Sequence, residues 1–596
     1  MIKIDKTSTR VLTAWYIFVA IAIYANTLNN PFHFDDFHSI VENPHLRSLK
    51  NIPVFFVDTQ MFSVEHGGKM FRPMLLVSYA INYAIHGSEV WGYRIFNIFL
   101  HVLCVVALFR CAVKMGADRS MSSLMGWLFL LNPLVAESIN YISSRSDLLV
   151  TSFIMWAIYN LIFRDSRYVF GVVLFIFGFL VKSMAIVMPP LLFACERSTN
   201  LWNDLIRKKS LIISLAIVVS LYLLIIYKNS FIGDSIDKIP RGLVEQIFTH
   251  IKAQVYMVWL CIMPVHLTVD HPFNPAGKQI TETIFLSLLF IGSVSFFAIR
   301  SRLHWLSLGW IWQIIALLPY AFVPLNLIVT ERRMYLALVG FSIAMAWVFT
   351  AWKNTKNRVP YGLYVLLILW IGISFSRANI WANDISLWEE AVNFNPKNSR
   401  ALVNLGLAYE RNGDLSEAQK FILEGLTLDP QIAYGWLHLG NLQFKEEKYS
   451  LAEESYFRAL SVHPGLAGGY YNIGNLMLGR GEIEKAEEFY MYAIEIDPYL
   501  ALAQNNLGQI HASRGNSEEA LMSYERAIRG NPELPQPYFN RAVLLEKLGD
   551  YNSALDQYSR AYKLMNALKD LDNINQSRPY VKKALEGMER LRNSAP

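Results

Sequence analysis

Five prolines in the last third of the chain recur at an unvarying interval: Pro396, Pro430, Pro464, Pro498 and Pro532 each fall 34 residues after the one before. Gly406, Gly440, Gly474 and Gly508 repeat in step with them, as do Ala418, Ala452, Ala486, Ala520 and Ala554. Tyr456, Tyr490, Tyr524 and Tyr558 occupy the matching large position. Such a period excludes a single closed core. Each unit can bury its apolar face only against its neighbours, which makes a stack of helix pairs with small residues where the paired helices approach.

An interval of 34 residues is that of the tetratricopeptide repeat. The period predicts an α-solenoid over 381–566, about five repeats preceded by a half-repeat helix at Leu387-Trp388-Glu389-Glu390-Ala391, with 567–596 as a capping helix or tail. The first 380 residues differ sharply, being dense in Leu, Ile, Val, Phe and Trp. They carry a net charge of +13, against −7 for 381–596. The basic residues sit between apolar segments and form no continuous stripe, as cytoplasmic membrane loops require and a nucleic-acid surface does not.

Apolar segments near membrane length recur through this part and predict about eleven crossings, centred on 11–29, 91–113, 121–138, 147–163, 168–182, 184–196, 210–228, 280–299, 304–323, 333–352 and 360–377. Lys182 and Pro189-Pro190 make the pair near 182 a candidate broken hairpin. No small-residue cleavage site follows the first segment, which reads as a retained helix. Cys104, Cys111, Cys195 and Cys261 all lie inside apolar segments and read as small core residues, with no disulfide framework or zinc site.

Lys3/Lys6/Arg10, Arg110/Lys114/Arg119, Arg164/Arg167, Arg207/Lys208/Lys209, Arg300/Arg302 and Lys353/Lys356/Arg358 mark the cytoplasmic side. That orientation requires 247–264, with Lys252 and Pro264, to lie in the interface or re-enter. Asp35, Asp36, Arg72, Glu137, Arg145, Asp147, Lys182, Asp270, Glu331 and Arg332 then gather at outer helix ends. Ionisable groups near membrane depth are costly, which makes this collection a candidate cavity lining, with interfacial ion pairs or snorkelling as the alternative. The adjacent Asp35 and Asp36 stand where the first helix ends, so one can act as a base while the other orients it or binds a cation.

The order of motifs resembles the transmembrane and tetratricopeptide-repeat O-mannosyltransferases, multi-pass glycosyltransferases of the GT-C superfamily, and their bacterial relatives. The pieces that carry the resemblance are Phe34-Asp35-Asp36, Phe71-Arg72-Pro73, Tyr93-Arg94-Ile95-Phe96-Asn97, Asn132 through Ser138, Ser144-Arg145-Ser146-Asp147-Leu148-Leu149 and Glu331-Arg332-Arg333-Met334-Tyr335-Leu336. One piece departs: that family tends to Lys-Glu where this chain has Lys182-Ser183, so an acidic partner is missing there. The resemblance implies an all-α fold, a polytopic GT-C-type membrane domain over 1–380 followed by the solenoid. It also implies a polyprenyl-phosphate-linked sugar, mannose or a similar hexose, as donor, and Ser/Thr hydroxyls of a polypeptide as acceptor.

The chemistry fits the groups present. A hydroxyl must lose its proton as it attacks the anomeric carbon, and Asp35 is the expected base, with Asp36 beside it. The leaving lipid phosphate calls for cations: Arg145, Lys182 and Arg332 first, Arg72 and Arg94 behind them, with Glu137 and Glu331 in the same donor-binding motifs. One base and an in-line phosphate imply inversion, while retention would need a second carboxylate as nucleophile. No Asp-x-Asp occurs in the first loop, so a divalent metal is compatible but not demanded. Two residues before the recurring glycine stand Asn404, His438, Asn472, Asn506 and Asn540, a ladder expected on the inner wall of the solenoid to pair with acceptor peptide units, the alternative being bonds across to the neighbouring repeat that only stiffen the solenoid.

A membrane-anchored scaffold without catalysis, or a transferase acting on lipid or glycan, are the competing readings. An anchor alone needs one helix. The short loops favour a bacterial inner membrane with periplasmic repeats, and an endoplasmic reticulum membrane with lumenal repeats has the same topology.

Overall fold

The computed structural model describes residues 6–63, 70–163, 168–198, 213, 215–220, 222–223, 241–300, 304–323, 327–356, 360–567 and 582–591. Among them all regular structure is helical. The chain divides into two compact units, the first running to Pro396 and the second starting at Lys397. The boundary thus falls later than 380. Helix Asp384–Phe394, expected as a leading half-repeat, packs within the first unit.

Among the described residues, five helical stretches of the first unit are long and apolar enough to cross a membrane: Thr9–Thr27, Val90–Lys114, Glu282–Arg300, Glu331–Lys356 and Tyr361–Ile380. Arg119–Leu131 with Pro133–Asn140 makes a sixth if the pair, bent by 54°, is one span. Pro133 causes that bend: it cannot continue the preceding ladder, and Asn132 instead caps the new turn by accepting from Leu134 N at 3.1 Å. The count is below eleven because several expected spans are short. Tyr168–Phe179 has 12 residues, or about 18 Å of helix, less than the hydrocarbon thickness of about 30 Å. The expected segment 210–228 lies largely outside the described residues. Over 247–264, expected to lie in the interface or re-enter, the chain forms one continuous helix, Leu243–Ile262, which is not among the stretches apolar enough to cross.

Apolar burial between helices in lipid gains little, so small residues and hydrogen bonds set the packing. Helices His304–Leu317 and Tyr335–Lys356 meet backbone to backbone at Gly309 and Gly340. A Cβ on Gly309 would lie 2.5 Å from Gly340 O. Trp312 Nε1 donates to Leu336 O at 3.0 Å beside that contact. Tyr335 also meets His101 Nδ1 at 2.6 Å, tying the start of its helix to Val90–Lys114. The turn Glu331–Met334, which carries the charged motif, is thereby held at the end of a fixed helix.

The second unit pairs Ser399–Asn412 with Leu415–Leu428, Ala433–Lys445 with Tyr449–Val462, Ala467–Gly479 with Ile483–Ile496, Ala501–Ser513 with Ser517–Gly530, and Pro535–Lys547 with Tyr551–Ala567. The recurring glycines are seats for the recurring tyrosines. A Cβ on Gly440, Gly474 or Gly508 would approach the ring of Tyr456, Tyr490 or Tyr524 to 2.5–2.6 Å. Each first helix ends on a left-handed residue, Gly413, Gly481, Gly515 or Gly549, whereas the second repeat has Glu447 there with φ +60°. A further helical segment, 582–591, brings Ala584, Met588 and Leu591 into the last apolar cluster, where a C-terminal cap was expected.

Candidate active site

Asp35 and Asp36 sit side by side but face opposite ways. The turn that separates them is closed by Asp36 N donating to His33 O at 2.9 Å and Phe37 N to Phe34 O at 3.1 Å. Phe34 takes a left-handed φ of +46°, which costs a non-glycine residue about 1–2 kcal/mol. Its ring packs against Trp388 at 5.2 Å, Tyr141 at 5.7 Å and Trp381 at 6.4 Å, and this burial offsets the strain.

Asp36 is fully buried. It accepts from Ser143 Oγ at 2.5 Å, Ser143 N at 2.7 Å, His33 N at 3.1 Å and Ile142 N at 3.3 Å. Burial pushes its carboxyl up, and those hydrogen bonds only partly oppose it. This residue is the staple between the first loop and segment 141–144. Asp35 leaves 59 % of its side-chain surface accessible, with His38 Nε2 at 3.6 Å. The protein surrounding it would raise its pKa, but His38, the Tyr141 hydroxyl and the Arg332 guanidinium outweigh that and hold it at about 2. Asp35 is therefore an ionised carboxylate open to an incoming group.

Arg332 reaches the same place from the turn Glu331–Met334. Its guanidinium lies over the Tyr141 ring at 4.9 Å, and Glu137 orients it twice, accepting from Arg332 N at 2.9 Å and facing Nε at 3.7 Å. Lys182 donates to Asp147 at 2.6 Å, so the acidic partner missing at position 183 is supplied from helix Arg145–Phe163. Arg72 lies over Phe62 at 5.6 Å and feels the charges of Asp147 and Asp35. Asp35, Arg332, Lys182 and Arg72 all remain accessible in part, whereas Glu137 is buried behind Arg332.

Two of the expected phosphate-binding cations are placed otherwise. Arg94 is fully buried and donates to Thr27 O at 2.8 Å, Pro31 O at 2.7 Å, Asn140 O at 3.3 Å and Asn30 O. Arg145 is equally buried, bonded to Asn97 Oδ1 at 2.8 Å and Tyr93 O at 3.0 Å, with Tyr79 and Phe96 rings 4.9 and 4.8 Å from its guanidinium. Arg94 clamps carbonyls at helix ends and in the loop between them, whereas Arg145 ties the start of its own helix to Val90–Lys114 through Asn97 and the Tyr93 carbonyl. Replacing Arg94 by Met should therefore strand four carbonyl oxygens and destabilise the first unit by about 3 kcal/mol or more, read as a lower melting temperature. Donor affinity of the protein that does fold should stay unchanged.

Glu331 is also withdrawn. It is buried, with Arg377 Nη2 at 3.2 Å and His271 Nε2 at 3.7 Å, and Arg377 reaches on to Glu390. His38, Tyr141 and Arg377 were not singled out from the sequence. His38 follows Asp35 by three residues in a helical turn, a spacing that could have found it. Among the described residues no three His, Cys, Asp or Glu side chains group as metal ligands would.

In the second unit Asn404, His438, Asn472, Asn506 and Asn540 all stand on first helices, in register. Their groups are partly spent. Asn472 donates to Asn441 at 2.8 Å, Asn506 to Asn475 at 3.0 Å and Asn540 to Asn505 at 2.9 Å. Asn404 donates to Arg400 O at 2.9 Å and Tyr434 at 3.3 Å, and His438 meets Glu410 at 2.9 Å. The ladder expected to face an acceptor thus also stitches repeat to repeat: Asn404 and Asn506 each donate twice, and Asn506 Oδ1 accepts from Asn505, which leaves Oδ1 and one N–H at Asn472 and Asn540.

The fold and these sites define an all-α, multi-pass membrane protein with a tetratricopeptide solenoid. Tetratricopeptide-repeat models match residues 387–420, 467–499, 508–549 and 535–564. The chain is 23 % identical over 442 residues to protein O-mannosyl-transferase F38B6.6 of Caenorhabditis elegans, covering 70 % of this chain and 62 % of that one. It is 22 % identical over 474 residues to protein O-mannosyl-transferase TMTC3 of Homo sapiens, covering 69 % and 51 %. Homo sapiens TMTC2 is 31 % identical over 135 residues, 22 % of this chain and 16 % of that one. Among solved structures, Pseudomonas aeruginosa pilF aligns with 34 % of this chain and 94 % of its own, at 22 % identity and a TM-score of 0.27. The chain is a relative of the transmembrane and tetratricopeptide-repeat protein O-mannosyl-transferase family, and it spans about half to three-fifths of the length of the curated relatives it matches along most of its own.

Proposed function

We propose that this chain transfers a hexose, mannose as the relatives' names suggest, from a polyprenyl-phosphate donor to Ser/Thr hydroxyls of a polypeptide, on a GT-C-type membrane domain. The observation that supports this reading most is the pairing of an exposed, ionised Asp35 with the partly accessible cations Arg332, Lys182 and Arg72. Asp35 takes the hydroxyl proton as oxygen bonds to the anomeric carbon. The bond from that carbon to the phosphate oxygen breaks on the opposite face, with inversion, and the three cations meet the charge that develops. Glu137 and Asp147 hold two of them in place. The test is purified protein in lipid discs, given a synthetic polyprenyl-phosphate mannose and a Ser/Thr peptide. A mass gain of one hexose on the peptide is expected, and donor hydrolysis without it would leave the acceptor class wrong.

In this reading the solenoid and the Asp35 loop face away from the cytoplasm, toward a periplasm or an endoplasmic reticulum lumen. A cysteine placed at Ser399 should react with an impermeant maleimide in intact cells or sealed lumen-out vesicles. Reaction only after lysis would reverse the orientation. Ser577, a second site suited by sequence, lies outside the described residues.

The acceptor is held by the ladder of first-helix amides. Replacing Asn472, Asn506 and Asn540 by Ala removes four inter-repeat bonds at about 0.5–1.5 kcal/mol each, so the solenoid should melt lower. Peptide modification should also fall, by about tenfold or more, while donor hydrolysis persists. A lower melting temperature with undiminished modification would make the ladder structural alone.

A further inference from the structure

We infer that helix Asp384–Phe394 is a positioning element of the membrane-domain site, holding the Asp35 loop with one end and the Arg332 turn with the other. The inference rests on the catalytic reading above for its consequence, though not for its geometry. The helix belongs to the first unit, between the last membrane span and the first residue of the second unit.

Its N-terminal end holds the loop. Asn383 caps the helix by accepting from Ser386 N at 2.8 Å, which fixes Asp384 in its first turn. Asp384 Oδ1 lies 2.6 Å from His33 Nδ1, and His33 Nε2 lies 3.0 Å from Trp381 O. His33 is fully buried, so both ring nitrogens are engaged and the ring cannot turn. Two residues on stands Asp35. Between them Phe34 keeps its left-handed backbone only while its ring is lodged among Trp381, Trp388 and Tyr141. Trp388 is on the helix itself and is 6 % exposed. The direction in which Asp35 points is thus set by contacts the helix supplies.

The other end holds the turn. Glu390 pairs with Arg377, whose Nη2 is 3.2 Å from Glu331 Oε1, and Glu331 precedes Arg332. Glu331 and Arg377 are 0 % and 2 % exposed. A buried guanidinium between two carboxylates fixes both, and losing either carboxylate frees the other to shift. Asp384 acts through His33, and Glu390 through Arg377 and Glu331.

Full-length Asp384→Asn and Glu390→Gln keep shape while removing one charge each. In both, hydrogen–deuterium exchange should speed up about tenfold, in residues 31–43 for the first and 328–335 for the second, with protection elsewhere unchanged. Asp384→Asn should lower kcat by about ten- to a hundredfold at unchanged donor KM, because the base is misplaced. Glu390→Gln should instead raise donor KM. Unchanged exchange in both segments would overturn the inference, and so would protection lost evenly through the first unit or the same kinetic change in both variants. Asp35→Asn, assayed alongside, separates the two readings. If it transfers normally the catalytic role of Asp35 falls, and the exchange data alone decide whether the helix positions the loop.

Discussion

Asp35→Asn should lower transfer by about 10²- to 10⁴-fold, the range expected for a lost general base, with the melting temperature unchanged. The substitution keeps the shape of an exposed side chain and leaves the buried staple at Asp36 intact. Asp36→Asn should do the reverse. It puts an amide where four donors converge, so it should loosen the loop and lower stability along with rate. The pH profile gives a second check. Asp35 is held at about 2, below its ordinary 3.8, so it is ionised above both values and loses its charge only as the pH falls through about 2. In kcat/KM this carboxylate should therefore give no acidic limb between about pH 5 and 8. A limb there that vanishes in Asp35→Asn, with activity retained at high pH, would contradict the role.

Arg332→Gln should reduce kcat/KM by about 10²- to 10³-fold, the cost of one preorganised group facing a developing phosphate charge. Its main-chain bond to Glu137 remains at 2.9 Å, so the turn should keep its place while the guanidinium is lost. Arg332→Lys should recover only part of the rate, because an ammonium supplies charge without the planar fork. Donor affinity and the rate of lipid-phosphate release should fall together with transfer. If both stay at the native level while transfer drops, Arg332 serves the acceptor or the base and not the phosphate.

Much of the solenoid was legible because its physics is periodic. Proline, glycine and alanine spacings report where helices end and where they touch, and the Gly–Tyr seats follow directly. The membrane part was legible less evenly. An arginine in an apolar region reads as functional because burying its charge is costly, yet at Arg94 that cost is offset by backbone carbonyls at broken helix ends and at Arg145 by Asn97, the Tyr93 carbonyl and aromatic faces. Those breaks depend on tertiary packing, which residue types do not reveal. The two aspartates were visible as a pair, but that one is buried and the other exposed was not, because it depends on how segment 141–144 packs against the loop. Arg377 was hidden because it falls in the last turn of an apolar helix, where a cation reads as an interfacial anchor. Its partners Glu331 and Glu390 are 46 and 13 residues away.

The glycine seats are not all filled alike. Tyr456 and Tyr490 extend past Gly440 and Gly474 to donate to Asn441 at 3.1 Å and Asn475 at 2.7 Å, and those same oxygens accept from Asn472 and Asn506. At Gly406 the seat holds Ile422, which has no hydroxyl to offer. The first seat is therefore held by apolar packing alone, and its link to the next repeat runs instead through charge and hydrogen bonding at Glu410, which His438 and Lys445 of the second repeat share.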